Sequence, residues 1–458
     1  MSNGVLFAYF VTALCFILAL KGLSSPKYAR YGNLIGAFGA ALAVVVTLTL
    51  HGLGHRLPII IAIVVGTLIA VPAARLVKMT EIPQMVAMFN GVGGAAAALV
   101  SLNEYVKQHA VDSGGVAAAV VFSGIVGSVS FTGSLVTFAK LQGIMTGRPI
   151  VLPAARVVTP VVALASLGLG IAGIALTSVP LVVVCAVLAL LLGVLFVLPV
   201  GGADVPVVIS LLNAFTGLTV AASGYVLQNT LLIVAGTLVG ASGTLLTQLM
   251  AQAMGRPLTG ILFGAFAGPT TAGSTAELAG DRAVRSAGAE DIAILLGYAR
   301  KVAIVPGYGL AVAQAQHTAR ELADVLEARG VQVFYAIHPV AGRMPGHMNV
   351  LLAEANVPYE QLKEMDAANS EFSSTDVAVV VGANDVVNPA ARDLPGSPLY
   401  GMPILNVDEA ANVVFLKRSL RPGFAGIDNA LLYHPKTTVF FGDAKESLAK
   451  IVAAVKNL

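Results

Sequence analysis

Val305-Pro306-Gly307-Tyr308-Gly309-Leu310-Ala311-Val312 reads as an apolar strand running through a Gly-x-Gly turn into a helix. That context turns a weak glycine pair into a dinucleotide-binding fingerprint. The helix after it carries Ala311, Ala313 and Ala315, and Val312 stands where the full fingerprint has its third glycine. Further along, short apolar runs at 301–305, 331–337, 377–381, 403–407, 412–416 and 437–441 alternate with helical stretches, notably 310–329 and 443–456. Six strands with crossover helices predict a parallel, doubly wound α/β sheet of the Rossmann kind over 291–458. Before the fingerprint the chain is of another kind: residues 157–255 contain one charged side chain, Asp204. A stretch that long without charge belongs in lipid.

The strand ends suggest which nucleotide. An NAD site places Asp or Glu at the end of the second strand, about 20 residues past the glycines, to hold the ribose 2′-hydroxyl. Here that strand runs into His338-Pro339, and the next acid is Glu354. Arg343 follows instead, and Lys417-Arg418 follows the fifth strand. Cations at a strand's carboxyl end suit a 2′-phosphate, so NADP is favoured over the bland reading of a solvated basic pair. After the third apolar run comes Gly382-Ala383-Asn384-Asp385. Asp385 would face the ligand crevice there, or cap the following helix.

Composition sets the rest of the frame. The 458 residues are 57% hydrophobic and 11% charged, less than half the roughly 25% expected of a soluble domain. The net charge of +3 is too small to argue for nucleic acid, and no Lys/Arg run suggests it, so no nucleic-acid partner is expected. Cys15 and Cys185 lie far apart in apolar stretches and read as core residues. At about 20 residues per span, candidate transmembrane helices cover 4–20, 32–50, 57–74, 83–102, 115–139, 157–177, 180–199, 205–226 and 230–254. This makes 1–255 a helical membrane domain, its first span retained because Lys21 is the first Lys and follows the apolar run. Lys21, Lys27, Arg30, Arg75, Lys78, Lys140, Arg148, Arg156 and Arg256 fall on the C-terminal domain's side, with Arg56 and Lys107 opposite. The positive-inside rule then puts the C-terminal domain in the cytoplasm and the N-terminus outside. Residues 256–290, rich in Gly, Ala, Ser and Thr, read as a linker.

Few polar groups interrupt the spans. Asp204 stands just before the eighth, as an intramembrane functional candidate or as an N-cap. Asn213 lies nine residues further on, about 13 Å along the helix. Asn90 sits mid-span, with Ser128, Ser130 and Thr132 in the next helix. Together Asp204, Asn213, Asn90 and Ser130 are the proton-path candidates, although asparagines equally serve to hydrogen-bond neighbouring helices. His51, His55 and His109 fall in outward loops, and Gly91-Val92-Gly93-Gly94 reads as helix packing. No flavin, haem or metal constellation is evident, since no span holds paired histidines.

These pieces match a known family. Pro306 to Gln316, His338 to Ala355, Gly382 to Ala390, Lys417-Arg418-Ser419 and Gly201 to Pro206 resemble the beta subunit of proton-translocating NAD(P) transhydrogenase, along essentially the whole chain. The resemblance implies that NADP(H) binds here, and that a partner alpha subunit supplies the NAD(H) domain and further membrane helices. The partners would assemble as a dimer of heteromers in the bacterial inner (plasma) membrane, with the N-terminus periplasmic. Hydride would pass between the nicotinamides while a proton crosses the bilayer, making NADPH from NADH and NADP+. By the same resemblance Gly307, Tyr308, Gly309, Leu310, Ala311 and Val312 touch the dinucleotide, and Lys417, Arg418 and Ser419 hold the 2′-phosphate. His338, Arg343 and Gly382-Ala383-Asn384-Asp385 would line the pyrophosphate and nicotinamide end, with Tyr308 and Asp385 nearest the chemistry. Phe424 would lie in a loop that closes over the nucleotide, where some relatives carry Tyr. Some relatives also carry a proton-carrying His where Asn90 stands; Asn does not titrate, which moves the main carrier to the partner's helices or removes it from this position.

Two rival classes remain. A transporter with a nucleotide-sensing domain would keep the fingerprint without needing a second nicotinamide nearby. A quinone reductase would need an intermediate carrier that this chain does not show. Gly307-Tyr308-Gly309 also matches a potassium-filter triplet, but it follows Arg300-Lys301 in a charged, soluble context.

Overall fold

The computed structural model describes residues 3–25, 28–49, 56–108, 114–146, 149–152, 154–201, 204–254, 257–263, 284–342, 346–395, 397, 399–423 and 425–458. Arg343, Phe424, His51, His55, His109 and linker residues 264–283 lie outside them. The chain divides into two compact units, Met1–Gln248 and Leu249–Leu458.

In the first unit hydropathy sets the elements. Among the described residues nine helices are long and apolar enough to cross a membrane. They are α1 (Asn3–Leu23), α2 (Ala29–Thr49), α3 (Arg56–Leu76), α4 (Ile82–Gln108), α5 (Gly114–Gln142), α6 (Ala155–Ala175), α7 (Val179–Val197), α8 (Val205–Val226) and α9 (Thr230–Ala253). The protein is therefore a multi-pass membrane protein. Each helix satisfies its own backbone, as lipid requires, so packing falls to small side chains. A Cβ on Gly127 of α5 would come within 2.9 Å of Ala98 Cβ on α4, so a larger residue would push these helices apart. Gly91 and Gly94 lie against Ser134 and Ser130 in the same contact, which is the packing role expected of them.

The second unit takes in the last residues of α9 and continues with α10 (Leu258–Phe263) and α11 (Ala289–Gly297). There follow β1 (Lys301–Pro306), α12 (Tyr308–Val312), α13 (Gln316–Ala328), β2 (Gln332–Ile337), α14 (His347–Glu354), β3 (Leu362–Glu364), α15 (Met365–Phe372) and β4 (Val377–Val381). The chain closes with α16 (Ala390–Asp393), β5 (Asn412–Lys417), β6 (Thr437–Phe441) and α17 (Ala444–Lys456). The strands form one parallel sheet in the order β3-β2-β1-β4-β5-β6. The order reverses between β1 and β4, the place where such sheets bind ligands. Pro306 pairs with Val381, Val381 with Leu416 and Lys417 with Phe441, so the carboxyl ends of these strands finish level. Arg285 and Ala287 hydrogen-bond to Val439, laying the start of the domain along β6.

Two expected elements differ. Residues 403–407 are not a strand: Leu405 and Val407 are buried in the core, but the backbone there pairs with Asn369 of α15, which donates to Ile404 O at 3.0 Å and accepts from Asn406 N at 2.9 Å. The sixth strand is β3 instead, Leu362-Lys363-Glu364, which has no apolar run to announce it. The helix expected over 310–329 is two, α12 and α13, broken where Gln314 takes φ +49°.

Candidate functional site

Four strand ends carry the site, and glycine decides how closely they meet. Gly307 N donates to Val381 O, and Gly309 N to Gly382 O, both at 2.9 Å. A Cβ on Gly307 would fall on the backbone of Ala383, and one on Gly309 would lie 2.7 Å from Gly382 Cα. Gly382 itself takes φ +67°, which L side chains rarely adopt. The turns after β1 and β4 therefore interlock, and the amides of Gly307 and Gly309 are committed to that contact. Leu310 and Ala311 are buried beneath it, whereas Val312 is 45% exposed. No close packing is asked of that position, which explains why it need not be glycine. Tyr308, half-buried, meets the His347 ring edge-on, with centroids 6.3 Å apart.

At the end of β4, Asn384 links three groups. Its Oδ1 accepts from Lys417 Nζ at 2.7 Å, its Nδ2 donates to Asp385 Oδ1 at 3.0 Å, and its carbonyl accepts from Asn429 Nδ2 at 3.1 Å. Asp385 does not cap a helix. Its Oδ2 accepts from Ala425 N at 2.9 Å, and Gly423 abuts the carboxylate so closely that a Cβ would collide with it. The segment after β5 is thus held down on Asp385. Burial pulls the Lys417 ammonium below its ordinary pKa, while Asp385 and Asp428 pull the other way. Arg418 and Ser419 are exposed beside it, and Ser419 Oγ accepts from Arg421 N at 3.4 Å.

His338, at the end of β2, is 1% exposed. Its Nδ1 accepts from Val340 N at 3.2 Å, so Nε2 carries the proton and donates to Pro403 O at 2.8 Å. Burial lowers its pKa from 6.5 to about 4, the bond to Pro403 opposing. Both ring nitrogens are committed to backbone, so His338 shapes the crevice rather than reaching into it.

In the membrane unit, Asn90 and Ser130 meet and Asn213 stays apart from them. Asn90 Nδ2 donates to Ser130 Oγ at 3.3 Å and to Ser134 Oγ at 2.9 Å. Ser130 Oγ donates to Leu212 O at 3.0 Å and lies 2.6 Å from Thr216 Oγ1. Asn90 Oδ1 is buried without a hydrogen-bond partner. Further along the same three helices, Ser101 Oγ lies 2.9 Å from Ser223 Oγ, which also reaches Ser123 Oγ at 3.5 Å. Asp204 precedes α8 in helical conformation, and its side chain does not cap the helix. Asn213 is half-buried on α8.

Sequence reasoning missed Ser134, Thr216, Ser101 and Ser223, because single hydroxyls are common in apolar helices. It also missed Asn429 and Gly423, which no motif marks. The β5 cations and the β1 and β4 turns did carry a signal, their place immediately after a strand.

An apolar helical bundle followed by a doubly wound sheet, with interlocked glycine turns and a cation cluster at its carboxyl edge, defines a membrane protein carrying a nucleotide-binding domain. The chain belongs to the NAD(P) transhydrogenase beta subunit family, whose model matches residues 5–454. It is 45% identical over 455 residues to the NAD(P) transhydrogenase subunit beta of Rhodospirillum rubrum, covering 98% of each chain. A second subunit beta, from a specified strain of the same species, matches equally.

Proposed function

We propose that this chain binds NADP(H) and exchanges hydride with NAD(H) held by a partner alpha subunit, in step with proton movement through its membrane helices. The observation that carries the reading is the cluster at the ends of β4 and β5, where Asn384 holds the Lys417 ammonium beside Arg418 and Ser419. An ammonium, a guanidinium and a hydroxyl suit a 2′-phosphate dianion. Family membership supports both the reaction and the partner.

Bound nucleotide would supply the hydride chemistry. The chain's own residues position it: the Gly307–Gly309 and Gly382–Ala383 turns shape the crevice, and Lys417, Arg418 and Ser419 select the phosphorylated ribose. Asp385 holds the segment of Gly423 and Ala425 over the strand ends, and Tyr308 lines the β1 side. Arg343 and Phe424 join the cofactor contacts on the strength of the resemblance alone. Transfer between two nicotinamides lies near equilibrium without coupling. A proton moving down about 100 mV releases about 2.3 kcal/mol, which shifts a ratio roughly 50-fold. Asn90, Ser130, Asn213 and Asp204 line the proposed path, and NADPH is the product. In the orientation we adopt, the nucleotide domain (291–458) is cytoplasmic, the linker (256–290) joins it to the membrane domain (1–255), and the N-terminus is periplasmic, in a bacterial inner membrane. Two such heteromers form the assembly.

The test is nucleotide selection by the purified full chain. NADPH should bind far more tightly than NADH. Replacing Lys417 and Arg418 by Ala removes two charge-assisted hydrogen bonds to the 2′-phosphate, which should weaken NADPH about 100-fold and leave NADH unchanged. Equal binding of the two nucleotides by the wild-type chain would overturn the reading.

A further inference from the structure

Lys140, near the end of α5, is 5% exposed and takes no part in the sites described above. Its Nζ donates to three backbone carbonyls: Val197 O at 3.1 Å, Leu198 O at 2.5 Å and Val200 O at 2.7 Å. These belong to the last residue of α7 and the turn that follows. Carbonyls at a helix C-terminus lack intrahelical donors and carry the negative end of the helix dipole, so an ammonium is well matched to them. Among the described residues, the groups that accept from this ammonium are these three backbone carbonyls.

Two further features say what the clamp holds. The turn runs on to Gly201, whose carbonyl accepts from Asp204 N at 3.0 Å, and Asp204 O in turn accepts from Val207 and Val208 N in the first turn of α8. Fixing the end of α7 therefore fixes where α8 starts. On α5 itself, Ser130, Ser134, Thr137 and Lys140 are all buried, and steps of three and four residues set them along one face. Ser130 and Ser134 bond Asn90, and Ser130 meets Thr216 of α8. Lys140 thus joins the helix that carries the hydroxyls to the turn that starts their partner helix.

We propose that Lys140 is a positioning residue for proton translocation: its ammonium locks the α7–α8 turn onto α5 and so keeps Asp204 and Thr216 in register with Ser130 and Ser134. The inference rests on the proposed reading that these groups line the proton path. It assigns Lys140 no proton of its own to carry. The guanidinium of Arg does not deprotonate in proteins but donates to carbonyls readily, so Lys140→Arg separates a clamp from a carrier.

The full chain, assembled with its partner in sealed vesicles, would be compared as wild type, Lys140→Arg, Lys140→Met and Lys140→Gln. Hydride transfer, lumen acidification per hydride, their pH profiles and the NADPH dissociation constant would be measured. Lys140→Met should lower acidification per hydride about tenfold with NADPH affinity unchanged, whereas Lys140→Arg should stay within about threefold of wild type with the same pH profile. Where Lys140→Met fails to assemble, Lys140→Gln carries the test, since it keeps an N–H donor and loses the charge. A neutral variant that acidifies like wild type overturns the clamp. So does an assembled Lys140→Arg as inactive as the neutral variants, which would make Lys140 a proton carrier. A wild-type complex that transfers hydride without acidifying the lumen overturns the proposed function as well, an outcome read before any variant is compared.

Discussion

Two asparagines separate the two halves of this molecule. Asn384, in the second unit, has both ends of its side-chain amide engaged, Lys417 donating to Oδ1 and Asp385 accepting from Nδ2, while Asn429 Nδ2 donates to its main-chain carbonyl. Asn90, in the membrane unit, donates to two serines and leaves Oδ1 buried without a partner. A saturated amide fixes its neighbours in one arrangement. An unsatisfied acceptor in a bundle of hydroxyls has capacity left over, and a buried orphan of this kind calls for water or a moving proton. On the proposed function, the first arrangement suits holding charges still beside a bound anion and the second suits hydrogen bonds that exchange.

Breaking the saturated network should have the largest effect. Asn384→Ala takes one hydrogen bond from the Lys417 ammonium and one from the Asp385 carboxylate, leaving Lys417 only Arg421 O, at a cost of about 1–3 kcal/mol for each weakened group. NADPH affinity should fall about tenfold or more while NADH affinity barely changes, and a binding titration of both nucleotides checks this. If both affinities fall together, Asn384 holds the fold and not the selection.

A second test in the same unit uses pH. His338 has a folded pKa depressed by burial from 6.5 to about 4, so the unfolded chain takes up a proton first as pH falls. Its stabilising contribution is complete above pH 6.5 and is lost between there and about 4, a change of roughly 3 kcal/mol. Acid denaturation of the full chain in detergent, followed by a probe in the soluble unit, should show this limb. His338→Gln should flatten it. An unchanged limb in that variant would place the titrating group elsewhere. Glu371 titrates in the same direction: burial raises it, but Lys301 and Lys363 outweigh burial and hold it below its ordinary range. The variant is needed to separate the two.

The sequence makes some of this legible and hides the rest for identifiable reasons. The nine apolar helices among the described residues and the glycine turn after β1 follow from hydropathy and from one motif in context. β3 was invisible because an edge strand of three residues, Leu362-Lys363-Glu364, needs no apolar run. Residues 403–407 misled in the opposite direction. Their apolar side chains face the core, but Asn369 satisfies the backbone that a neighbouring strand would otherwise pair. Within the sites, Lys417 was readable from its place at a strand end, whereas Asn429 acts across 45 residues on Asn384 with no local pattern to mark it. The membrane cluster was half legible. Asn90 stands out in an apolar span, but Ser134 and Thr216 become its neighbours only once α4, α5 and α8 pack.

The most direct measurement is lumen acidification by vesicles containing this chain and its partner during NADPH-driven reduction of an NAD analogue, for wild type and Asn90→Leu. Leu keeps the bulk and removes the amide. Wild-type vesicles should acidify, and the variant should continue hydride transfer with acidification per hydride reduced about tenfold. Full acidification in Asn90→Leu would contradict this, because the unsatisfied amide at the centre of the hydroxyl cluster would then have no part in moving the proton.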